Sequence, residues 1–192
     1  MKIHLIRHGK TYANEKRLYC GKTDLPFSEN GIREIVDLKE QGIYPKGVDL
    51  FFCSGLIRTV QTIEFIYGPA HYEVVSSLVE YNFGDFEMKS FEELKNRPGY
   101  QAWISDDLGE VSCPNGESKQ QFTKRVLDGF EQLIKKSPTS GEVLLVSHGG
   151  VIVSIMEHFF PNTKNFYEWQ PKPARGYSLG FNSSGGCKYE KI

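Results

Sequence analysis

The stretch of sequence that decides the fold is residues 3–14, which read Ile3-His4-Leu5-Ile6-Arg7-His8-Gly9-Lys10-Thr11-Tyr12-Ala13-Asn14. The apolar run at its start predicts a buried strand, and Gly9 predicts a turn that leads into a helix. Arg7 and His8 therefore stand at the end of a buried strand, where an unpaired charge is costly. A doubly charged anion held between these two side chains would explain their position.

The same pattern of apolar strand, short polar turn and helix occurs twice more along the chain. Residues 48–53 form a second predicted strand that leads to Ser54, with Arg58 in the helix that follows. Residues 143–146 form another predicted strand, which leads to His148. Alternating strands and helices favour a mostly parallel sheet covered on both faces. The carboxyl ends of parallel strands meet at one edge of a sheet, so we expect the three turns to converge there.

The remaining segments supply further elements and no linker that would divide the chain. Residues 78–87 have little periodicity and predict a structured loop. Further strands are predicted at residues 72–76, 177–182 and 187–192, the last two joined through residues 183–186, and further helices at residues 91–106 and after residues 118 and 150. We therefore expect residues 1–192 to form a single α/β domain.

Two of the predicted helices carry apolar residues at helical spacing. Ser28 can cap the first helix, and we expect its inner face to carry Ile32, Ile35 and Val36. The second helix follows the strand at residues 48–53, and we expect its apolar residues to face inward: Ile57, Val60, Ile63 and Ile66.

The bulk properties of the sequence exclude several classes of protein. The 192 residues carry a formal net charge of −1, so the chain has no basic field for binding nucleic acid. No apolar run approaches membrane-spanning length, and the first residues lack the apolar region of a signal peptide. The four cysteines are too far apart in sequence for a CxxC metal or redox pair. We therefore expect a cytoplasmic protein with free thiols that binds neither nucleic acid nor a membrane.

Two arginines, two histidines and several helix N-termini at one edge of a sheet describe a phosphate site. A unit-charge pair at about 4 Å contributes roughly 4 kcal/mol at intermediate dielectric, and a neutral ligand would leave these cations repelling one another. A positioned imidazole beside a bound phosphate can attack phosphorus to form a phosphohistidine while arginines hold the equatorial oxygens. An acid must then protonate the departing alkoxide, and spacing alone does not identify it among the 24 Asp and Glu residues.

In sequence order, these segments resemble the motifs of the histidine phosphatase superfamily, whose fold is shared with the cofactor-dependent phosphoglycerate mutases. Residues 5–14 are similar to its LxRHGxTxxN motif and residues 54–62 to its SxLxRxxxT motif. Residues 78–87, 114–125 and 147–150 resemble its three remaining blocks. The resemblance implies a three-layer sandwich around a mostly parallel sheet of about six strands, with helices on both faces.

The resemblance also implies a role for each residue of the predicted phosphate site. His8 would be the nucleophile, and Glu80 would be the general acid and base. Arg7, Arg58 and His148 would bind the phosphoryl group and stabilise its transition state. Because the phosphatases of the family work without a metal or an organic cofactor, we expect none here.

Four further residues are expected to contact the substrate: Asn14, Cys20, Gly21 and Gly149. The resemblance makes Asn14 a donor to the phosphate. Cys20 and Gly21 match positions near bound substrate in the mutases, although the cysteine makes this match loose. Gly149 suits a close approach of the backbone to the ligand. One departure from the motif is Lys10, at a position that is usually Glu.

The function that the resemblance implies is a metal-independent phosphomonoesterase acting on a small phosphorylated substrate. The mutases usually carry Trp before the Asn of the first motif, where this chain has Ala13, and they are longer around the acid–base loop. The segments 83–88 and 114–117 look more like those of the small α-ribazole 5′-phosphate phosphatases of cobalamin synthesis. Other small relatives hydrolyse sugar phosphates or other monoesters, and the sequence does not indicate an oligomeric state.

Three other functions are alternatives at this stage. The first is a phosphoglycerate mutase and the second is a noncatalytic phospholigand-binding protein with the same fold. The third is a cysteine phosphatase that uses Cys53 and Arg58, although the phosphate loop of that chemistry has one more residue between the two. The triplet Gly21-Lys22-Thr23 is not a nucleotide P-loop, because Lys16 occupies the position where that motif needs its first glycine.

Overall fold

A computed structural model describes residues 1–138, 141–182 and 186–192, and these residues contain one six-stranded sheet. In chain order the strands are β1 (Lys2–Arg7), β2 (Leu50–Cys53), β3 (Tyr72–Val74), β4 (Glu142–Ser147), β5 (Gly176–Phe181) and β6 (Cys187–Lys191). Their order in the sheet is β3-β2-β4-β1-β5-β6. The first four strands pair in parallel, whereas β5 is antiparallel to β1 and β6 is antiparallel to β5. The predicted mostly parallel sheet of about six strands is therefore confirmed.

The helices are α1 (Tyr12–Lys16), α2 (Glu29–Glu40), α3 (Ile57–Tyr67), α4 (Phe91–Leu94), α5 (Pro98–Ile104), α6 (Lys119–Lys136), α7 (Gly149–Phe159) and α8 (Phe166–Trp169). Two short 3₁₀ turns, at Ser76–Leu78 and Gly84–Phe86, interrupt the loop between β3 and α4. Within the described ranges, no helix is both long enough and apolar enough to cross a membrane.

The sheet is buried on both faces, as the continuous apolar runs of its central strands require. Along β4, Val143 and Leu145 belong to the core that α6 and α7 cover. The alternate residues Leu144 and Val146 belong to the opposite core, which α2 and α3 cover. This alternation produces the two helical layers of the predicted sandwich.

Strand order brings the predicted turns to one edge of the sheet. β4 lies between β1 and β2, and all three run in the same direction. Arg7 is the register partner of Ser147, and the backbone N–H of His8 donates to the Ser147 carbonyl at 2.9 Å. The segments that follow β1, β2 and β4 therefore lie side by side, as expected from the sequence.

Some predicted inward positions are wrong. Ile32 and Val36 of α2 are exposed, as is Ile57 at the start of α3. The inner face of α2 is instead formed by Gly31, Ile35 and Leu38. Gly31 determines this face, because a Cβ there would lie 2.0 Å from the Lys10 carbonyl oxygen, so the helix meets the first loop through a residue without a side chain.

Other differences concern the ends of elements. The strand predicted at residues 48–53 begins at Leu50, and the strand predicted at residues 72–76 ends at Val74. The short helix α8 was not predicted. Of the turn predicted at residues 183–186, residues 183–185 lie outside the described part of the chain.

Two glycines of β5 give a matched test of how closely the central strands pack. A Cβ at Gly176 would lie 1.7 Å from the Leu5 carbonyl oxygen, whereas a Cβ at Gly180 would meet no atom within 4 Å. We expect Gly176→Ala to lower the free energy of unfolding by about 1–3 kcal/mol or more, because β1 and β5 must move apart. Gly180→Ala should change it by less than about 1 kcal/mol. Urea unfolding of both variants measures the difference, and equal effects would contradict this packing.

Candidate active site

The predicted site residues Arg7, His8, Arg58, Glu80 and His148 meet at the carboxyl edge of the parallel strands. The imidazole rings of His8 and His148 have their centroids 5.2 Å apart. A Cβ placed on Gly149 would lie 3.4 Å from the Arg7 guanidinium carbon, and one on Gly150 would lie 2.5 Å from Glu80 Oε1. The structure therefore brings Arg7, His8, Glu80 and His148 around the N-terminus of α7, and Arg58 lies near enough for its charge to act on both imidazoles.

The His8 side chain is 5% exposed and is oriented by its own loop. Its Nδ1 lies 2.7 Å from the Gly9 carbonyl oxygen. Because a carbonyl only accepts, Nδ1 carries the proton and the lone pair of the neutral ring is on Nε2. The Gly9 N–H donates to Thr62 Oγ1 at 3.1 Å, and that hydroxyl donates to the Arg58 carbonyl at 2.8 Å. The orientation of the imidazole is thus tied to α3.

His148 is fully buried and is the N-cap residue of α7. Its Nε2 is hydrogen-bonded to Ser54 Oγ at 2.8 Å, so the turn after β2 fixes the ring that follows β4. Its Nδ1 is buried and has no hydrogen-bond partner within the described residues. A buried ring nitrogen without a partner beside His8 is available to a ligand.

Both arginines are held by backbone carbonyls rather than by carboxylates. The Arg58 side chain is 1% exposed, and its Nη1 and Nη2 donate to the carbonyls of Thr23 and Gly21 at 2.8 and 2.7 Å. Arg7 Nη1 donates to the Pro171 carbonyl at 2.8 Å, and its buried Nε has no partner among the described residues. Within the residues that the structure describes, neither guanidinium forms a salt bridge. A buried guanidinium and a half-buried one, neither of them ion-paired within the described residues, are typical of a site that binds an anion.

The surroundings keep both histidines neutral. Burial, followed by the charges of Arg58 and Arg7, lowers the pKa of His8 well below its usual value of 6.5. Burial, Arg58, His8 and Arg7 also lower the pKa of His148. The unfolded chain therefore binds more protons than the folded chain below about pH 6.5, so these two residues reduce stability as the pH falls through that value.

Glu80 is fixed at the N-terminus of α7. Its carboxylate accepts hydrogen bonds from the backbone N–H groups of Tyr81, at 2.9 Å, and Gly150, at 3.0 Å. Its carbonyl accepts from Arg125, which also pairs with Glu117 at 2.7 Å. Residue 150 must be glycine for Glu80 to lie there, because a Cβ would overlap the carboxylate.

The four predicted substrate-contacting residues fall into two groups. Asn14 and Gly149 lie in the first turns of the helices that follow β1 and β4, Asn14 at the third position of α1 and Gly149 at the first of α7. Asn14 Oδ1 accepts from the N–H and the hydroxyl of Thr11, which leaves its amide N–H₂ without a partner among the described residues. Gly149 leaves room for the Arg7 guanidinium against the first turn of α7.

Cys20 and Gly21 belong instead to the loop that holds Arg58. The Gly21 carbonyl accepts from Arg58, and Cys20 Sγ donates to the Thr23 carbonyl at 3.5 Å. Burial raises the pKa of the Cys20 thiol, so this side chain stays protonated at neutral pH. These two residues therefore belong to the loop that positions Arg58.

Lys10 and Cys53 contribute less to the site than their sequence positions suggested. Lys10 forms an ion pair with Glu34 at 2.7 Å, which compensates the additional positive charge. Cys53 is fully buried in the core beneath α2 and α3, and burial raises the pKa of its thiol. A buried thiol with a raised pKa is a poor nucleophile, which argues against a cysteine phosphatase.

Sequence reasoning did not identify two groups that position the arginines. The Pro171 carbonyl holds Arg7, and the Glu87 carboxylate holds the loop at residues 21–23. A backbone carbonyl carries no signal in the side-chain pattern. Glu87 lies in a recognised block, but nothing in the spacing indicates a partner 66 residues away.

With this geometry established, comparison with known proteins gives consistent matches. A family model of the histidine phosphatase superfamily (branch 1) matches residues 3–188. The adenosylcobalamin/alpha-ribazole phosphatase of Escherichia coli (strain K12) is 31% identical over 156 residues, which cover 79% of this chain and 75% of that protein. The probable phosphoglycerate mutase GpmB of Yersinia pestis (strain Pestoides F) is 29% identical over 154 residues, which cover 78% of this chain and 70% of that protein.

Solved structures show the same likeness in three dimensions. The alpha-ribazole phosphatase from Shigella flexneri superposes with a TM-score of 0.86 at 25% identity, over 100% of this chain and 96% of that one. The phosphoglycerate mutase from Bacillus anthracis str. Sterne gives a TM-score of 0.81 at 19% identity, which shows a likeness of fold alone. Because the family model spans nearly the whole sequence and the five side chains converge at one edge, this chain belongs to the histidine phosphatase superfamily.

Proposed function

We propose that this protein is a metal-independent phosphomonoesterase that forms a phosphohistidine on His8 and acts on a small phosphate ester. The observation that carries the proposal is the hydrogen bond from His8 Nδ1–H to the Gly9 carbonyl, which leaves a lone pair on Nε2. A neutral imidazole held in this tautomer, beside the guanidiniums of Arg7 and Arg58, is a nucleophile prepared for phosphorus.

Binding of the phosphoryl group rests on three kinds of donor. Arg7 and Arg58 supply guanidinium N–H groups, and His148 supplies its unpartnered Nδ1 as an N–H donor. The first backbone N–H groups of α7 add the partial positive charge of a helix N-terminus. These donors are fixed before substrate arrives, so they stabilise charge as it develops on the equatorial oxygens.

The reaction proceeds in two displacements. In the first, His8 Nε2 bonds to phosphorus as the bond to the leaving oxygen breaks, and the Glu80 carboxyl gives its proton to that oxygen. In the second, the Glu80 carboxylate takes a proton from water, and the water oxygen bonds to phosphorus as the bond to nitrogen breaks. Inorganic phosphate leaves and the neutral His8 is restored. Splitting one difficult displacement into two easier ones is the benefit of the covalent intermediate.

The first candidate substrate is α-ribazole 5′-phosphate. The support is the likeness to proteins named as alpha-ribazole phosphatases, both among curated relatives and among solved structures. Phosphoglycerate mutase activity is the second candidate, because relatives named as probable mutases match over a similar length.

Hydrolysis of an aryl phosphate in excess chelator tests the mechanism. We expect the native protein to turn over and His8→Ala to lose activity on the order of a thousand-fold or more, as deletions of a nucleophile do. His71→Ala, at an exposed histidine, is the matched control and should retain activity. A radiolabelled phosphoryl group that survives alkali but not acid should appear on the native protein and on His71→Ala, and be absent from His8→Ala. Chelator-sensitive turnover, or turnover that survives in His8→Ala, would contradict the mechanism.

Direct competition between substrates tests the choice of ester. We expect kcat/KM for α-ribazole 5′-phosphate to exceed that for sugar phosphates and 3-phosphoglycerate by at least about tenfold, a difference of roughly 1.4 kcal/mol in transition-state binding. Initial rates of phosphate release provide the measurement. Isomerisation of 3-phosphoglycerate faster than its hydrolysis would instead identify a mutase, and phospholigand binding without turnover would identify a noncatalytic protein.

The electrostatic effect of Arg58 on the nucleophile is tested by histidine NMR. Arg58 disfavours the imidazolium of His8, so Arg58→Met should raise the pKa of His8 while burial still keeps it below 6.5. His4 is the internal control, since its pKa depends on burial, Glu142 and Lys2. A pH titration of the ring carbon shifts measures both residues. An unchanged pKa of His8 in the folded variant would contradict the stated cause.

A further inference from the structure

We infer that Glu87 is a positioning residue, which orients Arg58 for phosphoryl transfer by holding the loop at residues 21–23. This inference rests on the proposed function, since Arg58 matters for catalysis only if the site binds a phosphoryl group. Glu87 lies in the half-buried segment after the second 3₁₀ turn. It acts through its carboxylate on the backbone of a loop far away in sequence.

The Glu87 carboxylate accepts hydrogen bonds from five donors. Three are the consecutive backbone N–H groups of Gly21, Lys22 and Thr23, at 3.0 to 3.3 Å. The Thr23 hydroxyl donates at 2.8 Å and the Phe83 N–H at 3.3 Å. Consecutive N–H groups that converge in this way form a concave anion site like the one in phosphate loops. Here an internal carboxylate fills the site, so the triplet that suggested a P-loop binds the protein's own anion.

The same loop presents its carbonyls to Arg58. With the N–H groups of the loop directed at Glu87, the Gly21 and Thr23 carbonyls accept from the two terminal nitrogens of the guanidinium. These bonds use one N–H of each nitrogen, and no other acceptor within the described residues takes the rest. The remaining N–H groups of Arg58 are therefore available to oxyanions, in an orientation set by the two carbonyls.

The loop has little freedom to adjust if Glu87 is lost. A Cβ on Gly21 would lie 1.6 Å from the Tyr81 carbonyl oxygen, so the backbone of the loop lies directly against the segment that follows Glu80. Burial lowers the pKa of Arg58, and the negative charge of Glu87 is one of several nearby charges, with those of Glu80 and Asp24, that oppose this effect. Glu87 thus provides both the position and part of the charge compensation of this arginine.

Replacing Glu87 by glutamine keeps the volume and turns an amide N–H₂ toward N–H donors, which should displace the loop. Because misplacement by about 1 Å costs on the order of a hundredfold, we expect Glu87→Gln to lower kcat/KM for an aryl phosphate by roughly ten- to a hundredfold. The dissociation constant of inorganic phosphate, measured by calorimetry, should rise in parallel.

Glu93→Gln is the matched control. Glu93 accepts from the N–H and the hydroxyl of Ser90 in a helix cap, and its variant should stay within about twofold of native in both measurements.

A double-mutant cycle separates positioning from general support of the fold. If Glu87 acts through Arg58, Glu87→Gln in an Arg58→Lys background should cost less than about threefold in kcat/KM and in phosphate affinity, because the guanidinium that it orients is absent. Equal losses in the two backgrounds, or a single variant that binds phosphate like native protein, would overturn the inference.

Folding and function are checked separately. Thermal unfolding shows whether Glu87→Gln is folded. If it is not, Thr23→Val removes one of the five bonds and should give a smaller loss that again disappears with Arg58→Lys. Absence of turnover by the native protein would refute the proposed phosphatase. The phosphate-binding cycle would still decide the role of Glu87.

Discussion

The constraint on which the structure depends is the placement of two guanidinium groups, Arg58 buried and Arg7 half-buried, without an ion pair to a carboxylate among the described residues. Arg7 and Arg58 lie within the fold because backbone carbonyls of Pro171, Gly21 and Thr23 hold them. Carbonyl dipoles stabilise a buried cation but leave its net charge available to a ligand. A carboxylate in either place would neutralise the cation and weaken the anion site. The loops at residues 21–23 and at Pro171 must therefore direct their carbonyl groups at the two guanidiniums.

The sheet makes this arrangement possible because it assembles distant segments at one edge. His8, Ser54 and His148 follow three neighbouring parallel strands from separate parts of the chain. Hydrogen bonds connect these segments, from the Gly9 N–H to Thr62 and between His148 and Ser54. The Gly150 N–H, at the N-terminus of α7, binds the Glu80 carboxylate beside these residues. Rigid strands behind short turns fix side chains more accurately than a long loop would, which suits a reaction governed by the positions of a few polar groups.

Much of the fold could be predicted because its strongest signals are local. The apolar runs of β1 and β4 and the His-Gly turns after them identify buried strands that end in the candidate site residues. The inward faces of α2 and α3 were predicted less well, because apolar residues flanking a helix face have the same spacing as those in its centre. The short helix α8 was not predicted, because four residues are too few to show a helical periodicity. The contacts of Glu87 were not predicted, because its partners are distant in sequence. Only the folded chain brings its carboxylate to three consecutive N–H groups.

The bond between His8 and the Gly9 carbonyl has a stereochemical consequence. A ring anchored through Nδ1 presents Nε2 from one fixed direction, and displacement at a phosphoryl group is in line. In the proposed mechanism, the alcohol therefore departs from the side of phosphorus opposite His8, and water enters from that same side, so a single carboxyl can serve both proton transfers. Each displacement inverts the phosphorus centre. If that mechanism holds, a phosphoryl group made chiral with three oxygen isotopes and transferred to an acceptor alcohol in place of water would be inverted twice and would keep its original handedness.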